Sequence, residues 1–290
     1  MHAKGASAGG DETVIVEMVA LIARDLKRWY RTPAQIILVF TTPLMWLLLF
    51  GQAFNIGRLA QIGDTGIDLR MVFGGATDYF SFMAVGQTAF IMLFASFFSG
   101  VSILWDRKFG FLSKLQVAPI PRTAIPLSRI ISSLVKSMLQ ATVVIVLAAS
   151  FVLIPGLSGL RFSSSFGVLD AAGLALFLIL LGIGLAALFV ALGLVVRNEE
   201  TLFGLINLLN FPLMFTSSAL IPITLMPDWL RTVALYNPIT FVVDGMRQLV
   251  FGTSIGAEYS VATDLLGIGI FSALMIGLGA ILARKALLRG

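Results

Sequence analysis

The chain contains no cysteine and a single histidine, His2, in 290 residues. Disulfides, thiolate nucleophiles and cysteine-ligated metal sites are excluded, and no histidine is available to serve a nucleophile deep in the fold. No G-x-x-x-x-G-K-[ST] segment occurs and the dipeptide Gly-Lys is absent altogether. The chain therefore has no Walker-type cradle for nucleotide phosphates. Charge is sparse too, with Asp, Glu, Lys and Arg at 12%. Neither an enzyme of the hydrolase type nor a metal site is expected.

What is present is apolar. Hydrophobic residues make up 58% of the chain and its mean hydropathy is +0.97, far more than one soluble core of this length uses. A helix needs roughly 20 apolar residues to cross a hydrocarbon layer of about 30 Å. Six runs qualify, at about 33–54, 79–104, 129–154, 169–196, 202–221 and 263–283. The expected fold is an all-α membrane protein with six transmembrane helices. The polar start, 1–13, lacks the apolar centre of a signal peptide and is expected to be a disordered tail. Lys and Arg favour the cytoplasmic side of a span. With the amino terminus inside, fourteen basic residues fall on inner segments and five on outer ones. Both termini are thus expected in the cytoplasm, in a multi-pass protein of the cytoplasmic membrane. The same bias toward anionic headgroups accounts for the sequence pI of about 9.8 without any nucleic-acid partner. Tyr30, Tyr79, Tyr236, Tyr259, Trp29, Trp105 and Trp229 lie near predicted span ends, as interfacial belts do.

Between the tail and the first span, residues 14–31 place Ile15, Met18, Val19, Ile22, Leu26, Trp29 and Tyr30 at steps of three and four. This predicts an amphipathic helix lying in the interface before the chain turns inward at Pro33. The outer stretch from about 222 to 262 is too apolar for a solvated loop. Pro227 opens a short helix ending near Tyr236, and Asn237 then caps a second with Pro238 at its first position, stopping at Gly252. Neither spans alone, so the pair reads as an extracellular re-entrant helical hairpin. Asp244 and Arg247, three apart, can pair. Asn237, Pro238, Asp244 and Arg247 are candidates for an outer gate, or for a lid that only caps the bundle.

A path for cargo has candidates on two spans. Asn207, Asn210, Met214 and Ser217 fall on one side of the fifth, where Pro212 invites a kink. The second offers an aromatic stripe that includes Phe90, Phe94 and Phe97, which equally serves packing or lipid contact. On the third span Ser132, Ser133, Lys136, Ser137 and Gln140 form a polar side, and snorkelling toward the inner surface explains Lys136. Glycines in the fourth and sixth spans, among them Gly193, Gly269 and Gly277, suit close helix packing.

The segment DRKFGFLSKLQVAPIPR, 106–122, is unusually charged for this chain. From Asp106 to Val117 it can form about three helical turns before the prolines stop it. Phe109, Phe111, Leu112 and Leu115 give it one apolar side, against Arg107, Lys108 and Lys114. Docking in a groove of another protein and lying on the lipid surface both fit that pattern. The extended stretch WDRKFGFLSKLQVAPIPRTAI resembles the cytoplasmic coupling-helix region of type-2 ABC exporter membrane subunits, the ABC-2 permease family, in its daunorubicin-type drug-exporter branch. A second stretch, FPLMFTSSALIPITLMPDWLRTVALYNPITFVVDGMRQLVFG, is similar to the family's signature around its fifth span and outer loop, with Pro222, Pro227, Asn237, Pro238 and Arg247 in register. Phe241 departs from that pattern, where a more polar residue is usual.

The resemblance covers roughly residues 14–289 and implies a permease subunit, not itself an enzyme. Its partners are implied to be a separate ABC ATPase that binds ATP and Mg, a second permease chain in a homodimer or heterodimer, and the bilayer. The chain itself is expected to hold no cofactor. Phe109, Phe111, Leu112 and Leu115 become apolar anchors on the ATPase, and Arg107, Lys108 and Lys114 orienting charges. Glu199 and Glu200, between the fourth and fifth spans, are a possible second contact or a plain polar turn. The cargo implied is amphipathic, drug-like or lipid. A permease for a lipid-linked glycan would share these features. An ion-coupled secondary transporter is the more distant alternative, because Asp78, Asp170 and Asp264 stand at span edges and no carboxylate is central.

Overall fold

The computed structural model describes residues 8–53, 68–110 and 124–288. Within them the chain is helical, with no strand. Helix α1 runs Ala8–Tyr30, so it begins ahead of the expected start at Val14. Pro33 then opens α2, Pro33–Met45, which continues as a π-helical turn through Trp46–Gly51. A single turn, α3 (Leu69–Val72), precedes α4, Tyr79–Lys108. Next come α5 (Ala124–Ser150), α6 (Val168–Val195) and α7 (Glu199–Phe215). Two short helices, α8 (Asp228–Leu235) and α9 (Pro238–Phe251), lead into α10, Val261–Leu288.

Among the described residues four helical stretches are long and apolar enough to cross a membrane: Tyr79–Lys108, Ala124–Leu153, Val168–Val195 and Val261–Ala286. The other two expected spans are shorter. In α2 the apolar helical part is Val39–Gly51, and Pro43, which lacks a backbone donor, sits just before the switch to π geometry. In α7 Pro212 is followed by the helix end at Phe215, where the Thr216 amide and hydroxyl both donate to the Pro212 carbonyl at 3.0 and 2.8 Å. The α2 helix thus runs on past its proline with altered geometry, whereas α7 stops within a turn of Pro212.

Side-chain caps fix several starts. Asp78 accepts from the Ser81 amide at 2.9 Å to open α4, and Asn198 accepts from the Glu200 amide at 3.0 Å to open α7. At the other end α4 does not stop at Trp105. It carries Asp106, Arg107 and Lys108 as its last turn and breaks at Gly110, whose φ of +70° suits glycine. The separate helix expected from Asp106 therefore does not start there.

Helices α4 and α6 form the middle of the bundle. They are buried on most of their circumference, and α5 and α10 pack against them. Between α4 and α6 the backbones nearly touch: a Cβ on Gly193 would stand 2.3 Å from the Gly100 carbonyl oxygen. Small residues drive this approach in a medium where apolar contact alone gives no preference for protein over lipid. Gly269 and Gly277, by contrast, face open space. Outward, α5 exposes Val135, Leu139 and Val146, and α10 exposes Leu266, Ile270 and Leu274, as lipid-facing surfaces do. Helix α1 packs along α5, with Ile22, Leu26 and Trp29 half-buried.

Candidate functional site

The helix ends alternate, and they gather the predicted site residues into two opposite clusters with a cavity between α1, α2, α4 and α5. At the basic end, Arg129 of α5 forms ion pairs with Asp25 of α1 and Asp106 of α4. All three side chains are nearly buried, so one guanidinium, with its fork of donors, holds two carboxylates and binds three helices. Beside it Arg107 donates to the Leu194 and Gly193 carbonyls, at 2.8 Å each, and to that of Val196. Those are orphan acceptors at the carboxyl end of α6, where the helix dipole also favours a cation. Lys108 pairs with Glu199 of α7 at 3.1 Å on a more exposed surface. Arg107 and Lys108 thus belong to the last turn of α4 and are engaged inside the chain. Phe109, 78% exposed, projects beyond them. Phe111, Leu112, Lys114 and Leu115 lie outside the described residues. Glu200 is exposed.

At the opposite end Arg247 of α9 is 3% exposed. It donates to the Ser218 and Phe82 carbonyls at 3.0 Å each and to that of Ala219 at 3.3 Å, with its guanidinium carbon 3.4 Å above the Phe82 ring. The pairing with Asp244 that the spacing allows is not made among the described residues. Asp244 instead accepts from the amides of Glu258 and Tyr259, at 3.0 Å each. Three-residue spacing put the two side chains near each other, but Arg247 turns to carbonyls of two distant segments and Asp244 to amides of the loop before α10. Asn237 caps α9 through the Ile239 amide and also donates to the Leu213 carbonyl, both at 2.8 Å. Pro238 is buried at the first position of α9. The short helices are in this way pinned to the end of α7 and the start of α4. In the loop before α10, burial lifts the Glu258 carboxyl above its ordinary range, while Arg231, 3.9 Å away, pulls it down.

The cavity has a volume of about 810 Å³. Of the path candidates it brings together Phe90, Phe94 and Met214. Phe97 instead packs on Phe98 and Phe203, ring centroids 5.0 and 5.5 Å away. Asn210 is buried with both amide atoms unpartnered, Asn207 is half-buried, and the Ser217 hydroxyl closes on the Met214 carbonyl at 2.8 Å. The polar side of α5 divides. Ser133 donates to Ala95 of α4 and Gln140 to Val39 of α2, fastening helices together. All five of these residues, Ser132, Ser133, Lys136, Ser137 and Gln140, line the cavity, and Ser132 and Lys136 do so without fastening another helix. Sequence reasoning missed the Arg129 bridge, whose only trace was a set of charges near span ends on three separate segments. Among the described residues no group of acidic or histidine side chains could hold a metal ion.

Residues 16–251 match the ABC-2 type transporter family. The chain is 32% identical over 241 residues to ycf38 of Porphyra purpurea, covering 83% of this chain and 76% of that one. To ycf38 of Pyropia yezoensis it is 33% identical over 240 residues, 82% and 75% of the two chains. Both are named as putative transport permeases. The daunorubicin resistance ABC transporter permease protein DrrB1 of Streptomyces coeruleorubidus is 24% identical over 242 residues, 83% and 77% of the two chains. A family match over most of the length, on a bundle of apolar helices, makes this chain a multi-pass membrane protein of the ABC-2 type transporter permease family.

Proposed function

We propose that the chain is the membrane subunit of an ATP-driven exporter, moving an amphipathic cargo, drug-like or lipid, out across the cytoplasmic membrane. Helices α2 and α7 supplement the four long spans to give six crossings, with both termini cytoplasmic and α8 and α9 forming a re-entrant outer gate. A separate ATPase chain, carrying ATP and Mg, docks at the basic end on the segment after α4. Phe109, Phe111, Leu112 and Leu115 anchor it, and Lys114 orients it. Two permease chains assemble with their ATPases. The drug-resistance name of the DrrB1 relative favours export.

One observation carries the reading: the last turn of α4 is fastened to α6 by Arg107 and to α7 by Lys108 and Glu199. A push on the segment that follows α4 would thus reach three helices at once. The test is co-purification with the ATPase after Phe111→Asp and Leu112→Asp substitution. Two buried-at-interface anchors turned into carboxylates should abolish association, more than about a hundredfold in affinity, while membrane insertion is retained. Unchanged association would refute the docking assignment.

A further inference from the structure

Among the described residues two buried polar atoms on the cavity wall, Ser132 Oγ and Gln87 Oε1, have no partner, and Lys136 stands beside the first. Lys136 of α5 lines the cavity without a hydrogen bond or ion pair among the described residues. The carboxylates nearest in chemistry, Asp25 and Asp106, are both taken by Arg129. Ser132, one turn before Lys136 on the same face of α5, is 1% exposed and its hydroxyl is unbonded. Farther along the same cavity wall, on α4, Gln87 is 3% exposed with its Oε1 unbonded. The neighbouring polar residues of α5 do find partners, as Ser133 and Gln140 do, so the free groups are not a general feature of that face. Buried polar atoms are costly to leave unmade.

The rest of the lining suits a hydrocarbon or aromatic body, with Phe90, Phe94 and Trp46 on the wall. A volume of about 810 Å³ falls in the range of small-molecule sites, roughly 300–1,000 Å³. Arg28, Arg129 and Lys136 against Asp25 and Asp106 leave the cavity with an excess of one positive charge. We infer that this cavity binds an acidic amphiphile, its carboxylate or phosphate held by the Lys136 ammonium and the Ser132 hydroxyl and its apolar body lying against the aromatic wall. This names a cargo class for the exporter reading and rests on that reading for the word cargo. The binding itself needs no ATPase.

The experiment uses the purified full-length chain in nanodiscs, so it fails or succeeds apart from ATPase docking. The probe is cis-parinaric acid, a fluorescent fatty acid, against its uncharged methyl ester. The acid should bind, and Lys136→Gln should weaken it by about tenfold or more, the effect of losing one charge-assisted bond. Lys136→Arg should retain binding, which separates loss of charge from loss of fold, and Ser132→Ala should weaken it less. No binding of the acid, equal binding of the ester, or full binding to a well-folded Lys136→Gln chain would overturn the assignment. Native mass spectrometry separates the two sources of such an acid. Phosphatidylglycerol retained by the wild type and lost from Lys136→Gln marks a resident lipid, while probe binding without retained phospholipid marks a free amphiphile. Either result supports the acidic site.

Discussion

Arginine carries the decisive contacts at both ends of the bundle, and each uses several donors at once. Arg247 satisfies three carbonyls belonging to two other segments and lies on the Phe82 ring. Replacing it with Met should cost about 3 kcal/mol or more, because buried carbonyls lose their donor. Lysine should rescue little, since one ammonium cannot reproduce a planar fork. The thermal midpoint of the detergent-solubilised protein reads both. Arg129→Gln should cost about 3–5 kcal/mol by removing the buried cation that Asp25 and Asp106 share and leaving only the more exposed Arg24, 3.7 Å from Asp25. Adding Asp25→Asn and Asp106→Asn should recover part of that loss, and an unaltered midpoint in the single variant would contradict the bridge. These contacts were hidden in the sequence for a simple reason. Spacing along one helix shows which side chains are neighbours, as for Asp244 and Arg247, but the partner chosen by Arg247 is Phe82, on another helix altogether.

At the level of elements, legibility tracked local chemistry. Helix α9 falls where it was expected because Asn237, Pro238 and Gly252 write its cap, first residue and left-handed stop into the chain at its two ends. The long spans were equally plain from apolar length. Where α2 turns to π geometry, and where α7 ends after Pro212, depended on how a missing donor is absorbed by the surrounding backbone, which hydropathy does not register. The junction of α4 with α7 permits a test of element coupling. The Lys108 and Glu199 pair is partly exposed, so it is worth at most about 1 kcal/mol to stability. Lys108→Glu should leave the thermal midpoint nearly unchanged and reduce cargo-stimulated ATPase turnover. Combining it with Glu199→Lys should restore turnover, whereas equal turnover in all three proteins would disconnect this pair from coupling.

For the whole molecule, the alternation of helix ends separates a basic end, held by Arg107 and Arg129, from the end capped by α8 and α9. The sequence announced the class through its lack of a phosphate cradle and its excess of apolar length, and the family match agrees with that class. It could not announce the cavity, because Gln87, Ser132 and Lys136 come to line one space only when α4 and α5 pack. The central claim is that work from a separate ATPase reaches the bundle through the segment following α4. Since the chain has no cysteine, Ser113→Cys creates a unique thiol in that segment. Its labelling by a membrane-impermeant maleimide, and its cross-linking to the ATPase, test the claim in one preparation. The expected result is labelling from the cytoplasmic side alone and a cross-link to the ATPase chain. Labelling from the outside, or no cross-link in a complex that still transports, would contradict it.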